Sequence, residues 1–290
     1  MKKFFENRLS LLVTAPTFAC MLVFVYGFMA WTAWISFTGS TMLPVHTFAG
    51  LSNYEFLFGN ERWSVAIRNL LVFSTLFIGG SMTLGLFLAI LIDQKIRTEG
   101  FLRAIFLYPM ALSFIVTGTA WKWILNPGTG LEKLFQDMGW ATFTFDWLID
   151  PKMSIYTVVI AGIWQSTGFV MALFLAGLRG IDSNIVKAAQ IDGASTFDLY
   201  AKILLPNLRA TFFSVGMILC HIAIKSFDLV MALTGGGPGY SSDLPATFMY
   251  TFSFNRNQMG AGAASAVIML ATTMAVIVPY LYSESRRNHA

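Results

Sequence analysis

Val186-Lys-Ala-Ala-Gln-Ile-Asp-Gly-Ala-Ser195, running on to Leu204-Leu-Pro206, is a polar island between two long apolar runs. Asp182 or Ser183 is suited to cap a short helix there. Val186, Ala189 and Gly193 fall on one side of that helix, with Ile185 beside them, and small side chains at that face would let a partner surface approach. Gly193 can end the helix in a left-handed conformation. Ser195 with Asp198 three residues on reads as a capping box for a second helix. Leu205 stands before Pro206, a pairing that discourages continuation of a helix. The island therefore reads as two short, rigid helices with a glycine bend that protrude from whatever flanks them.

What flanks them is membrane. Of the 290 residues, 56% are hydrophobic and only 12% charged, against about 25% charged in soluble proteins. Six stretches are long and apolar enough to cross a bilayer: 11–37, 69–92, 104–125, 153–176, 210–233 and 261–282. Runs this long without alternation are helices rather than barrel strands. The expected fold is therefore an all-α integral membrane domain spanning 1–290, with a cytoplasmic loop at 177–209. The first stretch is too long for a signal peptide and reads as an uncleaved span, with Trp31 and Trp34 where a small-residue cleavage site would lie. Cys20 and Cys220 both sit inside spans, without metal-ligand spacing, and read as small packing residues.

Basic residues orient the chain. Lys2, Lys3, Arg8, Lys95, Arg97, Arg103, Arg179, Lys187, Lys202, Arg209, Arg286 and Arg287 fall on one side. Arg62, Lys133, Lys152 and Arg256 fall on the other. This places both termini and the Lys187 loop in the cytoplasm. The net charge of +4 reflects this bias and does not imply nucleic acid.

Ala188, Ala189, Asp192, Gly193, Ala194, Ile203, Leu205 and Pro206 match the coupling loop of ABC importer permeases, roughly E-A-A-x-x-D-G-A followed by I-x-L-P, with Lys187 in place of the acidic first residue. The resemblance extends over nearly the whole chain. Tyr108-Pro109, Trp121, Asn126-Pro127-Gly128, Trp164-Gln165, Gly168-Phe169, Leu175-Ala-Gly-Leu178, Phe227-Asp228, Leu233-Thr-Gly-Gly-Gly-Pro-Gly239 and Gly260-Ala-Gly-Ala-Ala-Ser-Ala266 are similar to carbohydrate-uptake permeases. Within that family the chain most resembles the glucose/mannose branch, through Ile92-Asp-Gln-Lys-Ile-Arg97, Leu107-Tyr-Pro-Met-Ala-Leu112 and Gly239-Tyr-Ser-Ser-Asp-Leu-Pro245.

The resemblance implies a non-catalytic subunit of a bacterial inner-membrane importer. Its partners would be a second permease, an ATPase homodimer and an extracytoplasmic sugar-binding protein. ATP and magnesium would bind the ATPase and not this chain, which has no Walker sequence: Gly235–Gly239 lacks the following Lys-Ser/Thr. Lys187, Ala188, Ala189, Asp192, Gly193, Ala194 and Pro206 would couple to the ATPase.

A sugar offers hydroxyls and apolar C–H faces, so aromatic and hydrogen-bonding residues inside spans are candidates for its pathway. Ionisable groups there are costly and usually face a cavity or a partner. Trp121, Trp164, Gln165, Lys225, Phe227 and Asp228 are the candidates. Lys225 and Asp228, three apart on one continuous helix, would share a face, as an ion pair or as cavity lining. Trp121 and Trp123 equally suit an interfacial aromatic belt. The loops around Trp63, Asn53-Tyr54 and Asn126–Lys152 are expected to dock the binding protein.

Three other readings fit less well. A secondary transporter would carry inverted repeats and broken helices at mid-membrane, which six plain spans do not suggest. A membrane enzyme would need a catalytic constellation, and His46, His221 and His289 are far apart in the chain. A glycerol phosphate permease would favour extra cationic pocket residues, whereas Lys225 has a nearby carboxylate.

Overall fold

The computed structural model describes residues 13–45, 47–94 and 96–287, apart from the side chains of 280, 281 and 283–287. Lys2, Lys3, Arg8, His46, Lys95 and His289 fall outside the described residues, as do the side chains of Arg286 and Arg287. The described chain is helical throughout, with one isolated antiparallel bridge, Thr38 to Phe48, and no named strand.

Two compact units divide the chain, one within Met1–Asn60 and Phe248–Ala271, the other within Glu61–Thr247 and Thr272–Ala290. The first unit holds α1 (Val13–Ile35) and α2 (Ser52–Gly59). Asn53 on α2 donates through Nδ2 to the carbonyls of Ser36 (2.9 Å) and Thr38 (2.8 Å), fixing the turn that ends α1.

The second unit is built around α3 (Glu61–Asp93) and α7 (Ser154–Arg179), which pack along most of their length. Small residues of one helix meet large ones of the other, as close membrane packing requires. A Cβ on Gly85 would lie 2.6 Å from the Val170 side chain, and Gly162 faces the Phe77 ring. Phe73, Phe77, Met171 and Phe174 are buried at this seam.

Onto α7 packs α4 (Glu99–Ala111), whose backbone comes closest at Gly168: a Cβ there would sit 1.7 Å from the Phe106 carbonyl oxygen. Carbonyl oxygen and methyl cannot share that space, so Gly168→Ala must push α4 off α7, an overpacking cost of about 1–3 kcal/mol or more. The expected result is a clear drop in the thermal unfolding midpoint in detergent. Gly216→Ala, where the added methyl meets nothing within 4 Å, should leave the midpoint unchanged or raise it.

Two expected spans are not continuous. The 104–125 stretch bends by 98° between α4 and α5 (Phe114–Ile124). Pro109 lacks an N–H, Leu112 turns extended (ψ 146°), and the Ser113 hydroxyl accepts the Val116 N–H (3.2 Å) to start the new helix. Beyond it lies α6 (Leu131–Asp137) in the following loop.

The 210–233 stretch breaks at 225–227, between α10 (Arg209–Ile224) and α11 (Asp228–Leu233). Lys225 is the C-cap of α10 and Asp228 the first residue of α11, so the two do not share a helix face as expected. Each charge sits at the helix end whose dipole suits its sign, and no ion pair joins them among the described residues. Beyond the two bends, α5 and α11 pack closely, Gly118 lying against Ala232 and the Leu229 carbonyl.

The polar island forms α8 (Ser183–Ile191) and α9 (Thr196–Asn207). The last helices are α12 (Pro245–Tyr250), prolonged by a π-helical turn Thr251–Asn255, and α13 (Met259–Arg287).

Candidate functional site

The island between α7 and α10 is held by local hydrogen bonds that its residue types provide. Asp182 caps α8 by accepting the Asn184 N–H (2.8 Å). At the other end the Gly193 N–H donates to the Gln190 carbonyl (3.2 Å) and the Ala194 N–H to the Ala189 carbonyl (3.0 Å), with Gly193 at φ +81°. These are the two bonds of a Schellman motif. Ser195 caps α9, accepting the Asp198 N–H (3.2 Å) and donating its hydroxyl to the Asp198 carboxylate (2.5 Å). Pro206 does not end the helix, contrary to expectation. A π-helical stretch, Leu199–Leu204, precedes it, and Leu205 keeps helical angles (φ −60°, ψ −42°). The chain breaks instead after Asn207 and bends by 65° into α10.

The faces of α8 are also assigned differently from the sequence expectation. Val186 and Ala189 pack inward against the core, together with Ala194, Leu199 and Leu204. The small-residue face therefore seats the island on its own molecule. Turned outward are Lys187, Ala188, Asp192 and Gly193, and with them two large apolar side chains, Ile191 (85% exposed) and Phe197 (80% exposed). Sequence reasoning passed over Ile191 and Phe197. Their signal was an isoleucine and a phenylalanine on either side of the Asp192–Ser195 turn.

The island is tied to the spans by a second group that the sequence reading missed. The Tyr200 hydroxyl on α9 donates to Asp93 at the end of α3 (2.8 Å). Arg179 at the end of α7 reaches Asp93 (3.7 Å) and Glu99 at the start of α4 (2.8 Å). Three span ends and α9 thus meet in one polar cluster.

The candidate pathway residues separate into three groups. Trp121 and Trp164 stand edge to face, ring centres 5.9 Å apart, with Trp164 exposed on α7. Lys225, Phe227 and Asp228 line a cavity of about 90 Å³ with Phe114, Ile222, Ser226 and Leu229, so the break in one span faces the start of α5. That volume is well below the few hundred Å³ of a typical ligand site. Gln165 belongs to neither group. It is buried and its Nε2 donates to the Leu112 carbonyl (2.9 Å), an acceptor left without a helical partner by the α4–α5 bend.

At the other end of the spans, the segment that follows the Gly235–Gly239 turn is held to α3 and α7 through Ser241 and Asp243. Asn69 Nδ2 donates to the carbonyls of Ser241 (2.8 Å) and Asp243 (3.0 Å), Ser154 pairs with Ser241 (2.8 Å), and Arg62 pairs with Asp243. Trp63, expected on a docking loop, is buried at 2% exposure. Among the described residues no group of three or more His, Cys, Asp or Glu could hold a metal.

Comparison with known proteins agrees with this architecture. Residues 81–288 match the family described as "Binding-protein-dependent transport system inner membrane component". The chain is 40% identical over 274 residues to a probable ABC transporter permease protein of Pyrococcus horikoshii, covering 94% of each. It is 34% identical over 276 residues to a xylose/arabinose import permease protein of Haloferax volcanii, covering 93% of this chain and 86% of that one. In fold it is similar to a chain of a bacterial ABC transporter that imports the acidic polysaccharide alginate, with a TM-score of 0.85 at 20% identity over 99% of this chain and 98% of the other. The broken spans, expected of a secondary transporter, are thus part of a different architecture: the chain belongs to the inner-membrane permease components of binding-protein-dependent ABC transport systems.

Proposed function

We propose that this chain is one of two permease subunits of an ATP-driven sugar importer in a bacterial inner membrane, with both termini in the cytoplasm. The observation that carries the reading is the protruding α8–α9 island, which presents Ile191 and Phe197 beside Gly193 and is wired to the ends of α3, α4 and α7. Large apolar side chains on an otherwise polar, membrane-external segment fit a groove in a partner. An ATPase dimer closing on that segment would move it, and the Tyr200–Asp93–Arg179–Glu99 cluster would pass the movement to three spans. ATP and magnesium would stay with the ATPase. An extracytoplasmic binding protein would deliver the cargo at the opposite end.

The cargo proposed is a neutral sugar, with glucose or mannose first. The sequence features shared with the glucose/mannose branch support that choice, as does the Asp228 carboxylate that offsets Lys225 beside the same cavity. Exposed Trp164, edge-on to Trp121, supplies an aromatic surface for a sugar ring's C–H face. The hydrogen bond from Gln165 to the Leu112 carbonyl supports a role in holding the α4–α5 bend.

The test is ATP hydrolysis by the complex reconstituted in liposomes with its partner permease, ATPase and binding protein. Stimulation by glucose-loaded binding protein is expected. Stimulation by a different sugar alone would keep the importer and replace the cargo, whereas uptake driven by an ion gradient without ATP would overturn the reading. Trp164→Ala and Asp228→Asn should each lower uptake by roughly tenfold, the loss of about 1.4 kcal/mol of binding, at normal expression. Unchanged uptake in both would remove these residues from the pathway.

A further inference from the structure

A recess of about 770 Å³ opens at the end of α3 and α7 away from the island, and none of the candidate pathway residues lines it. Arg68, Lys152, Tyr156 and Tyr240 line it, with Val65, Val72, Met153 and Ile155 supplying an apolar flank. Among the described residues no carboxylate lines it. Arg68 and Lys152 are both exposed, and neither makes an ion pair among the described residues. The nearest acidic neighbour in sequence, Asp150, accepts the Lys152 backbone N–H (2.6 Å) and not its ammonium. The start of α7, a 26-residue helix, adds the positive end of its dipole to the same recess.

Depth identifies the ligand class. Arg68 stands immediately before the apolar run that begins at Asn69, and Lys152 immediately before the run that begins at Met153. Both cations therefore lie where hydrocarbon gives way to headgroups, and Leu71, 64% exposed, points outward about one turn deeper. Arg68 also adds a fifth cation to Arg62, Lys133, Lys152 and Arg256 on this side, the side that the twelve opposite basic residues leave poor in positive charge. Two cations placed there against the general bias call for a local partner.

We infer that this recess binds the phosphate of an anionic phospholipid. Arg68 and Lys152 take the phosphate oxygens, Tyr156 and Tyr240 donate their hydroxyls, and Val72, Met153 and Ile155 meet the first acyl carbons. The inference does not depend on the cargo or on which end faces the cytoplasm.

Lipid retention by the purified permease complex, read by native mass spectrometry after exchange into phosphatidylglycerol or phosphatidylcholine, tests it. The wild-type complex should hold phosphatidylglycerol in preference. Arg68→Gln/Lys152→Gln should weaken that retention by roughly 30-fold, the effect of two headgroup-depth cations. Arg68→Lys/Lys152→Arg should keep it. Lys152→Gln alone, on an exposed loop, should weaken it roughly fivefold and carries the test should the double variant fail to fold. Equal phosphatidylglycerol retention by wild type and the charge-removed variants would overturn the site. Displacement of the lipid by millimolar glycerol phosphate or inorganic phosphate would overturn the lipid assignment and point to a soluble phosphate ester.

Discussion

Gly193→Asp should leave the permease complex assembled and hydrolysing ATP while sugar uptake falls at least about tenfold. Inside the chain the substitution meets no obstacle: nothing lies within 4 Å of the position a Cβ would take. Backbone strain is modest, because φ +81° costs an ordinary residue about 1–2 kcal/mol and aspartate tolerates left-handed angles better than most. The island is anchored from the other side, through buried Ala189, Leu199 and Leu204, so it stays folded. What changes is the outward surface. A carboxylate would join the outward surface that also exposes Ile191 and Phe197, and a charge desolvated at an interface without a partner costs several kcal/mol, more than the tenfold equivalent of 1.4 kcal/mol. Gly193→Asn separates the two effects, since it has nearly the same shape and no charge. Near-normal uptake by the asparagine variant with loss in the aspartate variant would place the effect at the docking surface. Equal loss in both would assign it to the left-handed turn, and normal uptake in both would dismiss the island as the coupling element.

The island was legible because its structure is local. An aspartate before the first turn, a glycine after the last and a serine three residues ahead of an aspartate each dictate hydrogen bonds within a few residues, and those bonds form at Asp182, Gly193 and Ser195. The direction in which α8 faces was not local. Val186 and Ala189 are equally suited to a partner or to their own core, and only the packing of α9 and the span ends decides it. The bends in two spans were hidden for a related reason. Hydropathy is continuous through Leu112, and around Phe227 the polar break is only four residues long between apolar runs, so residue type marks membrane depth without marking helix continuity. Pro109 and the Lys225–Asp228 pair were the available signs of interruption. Each was read as part of a helix because a helix is what an apolar stretch of that length predicts. Gln165 follows from this: as a polar residue in a span it looked like cargo recognition, and only the bend shows the backbone carbonyl it serves.

Asp243 carries the largest expected stability effect. It is 1% exposed, pairs with Arg62 at the start of α3, and accepts the Thr247 hydroxyl (3.1 Å). Its own carbonyl accepts from Asn69 (3.0 Å), so one residue fastens the glycine-rich turn to α3. Burial pushes the Asp243 carboxyl up from its ordinary value, and the Arg62 guanidinium pulls it back. The pair is therefore one in which desolvation opposes attraction, and removing the Asp243 charge takes away the contact that offsets the cost of burying it. Asp243→Asn keeps the shape, deletes the charge, and should cost about 3–5 kcal/mol, the usual penalty for breaking a buried pair. At roughly 2–4 °C per kcal/mol for a chain of this size, the unfolding midpoint in detergent should fall by about 10 °C. The double variant Arg62→Leu/Asp243→Leu should recover much of that loss, because replacing a whole buried pair by apolar side chains is often neutral. A double variant as unstable as the single one would instead mean that the hydrogen bond to Thr247 and the fit of the turn, rather than the balance of charge between Arg62 and Asp243, hold this end of the spans together.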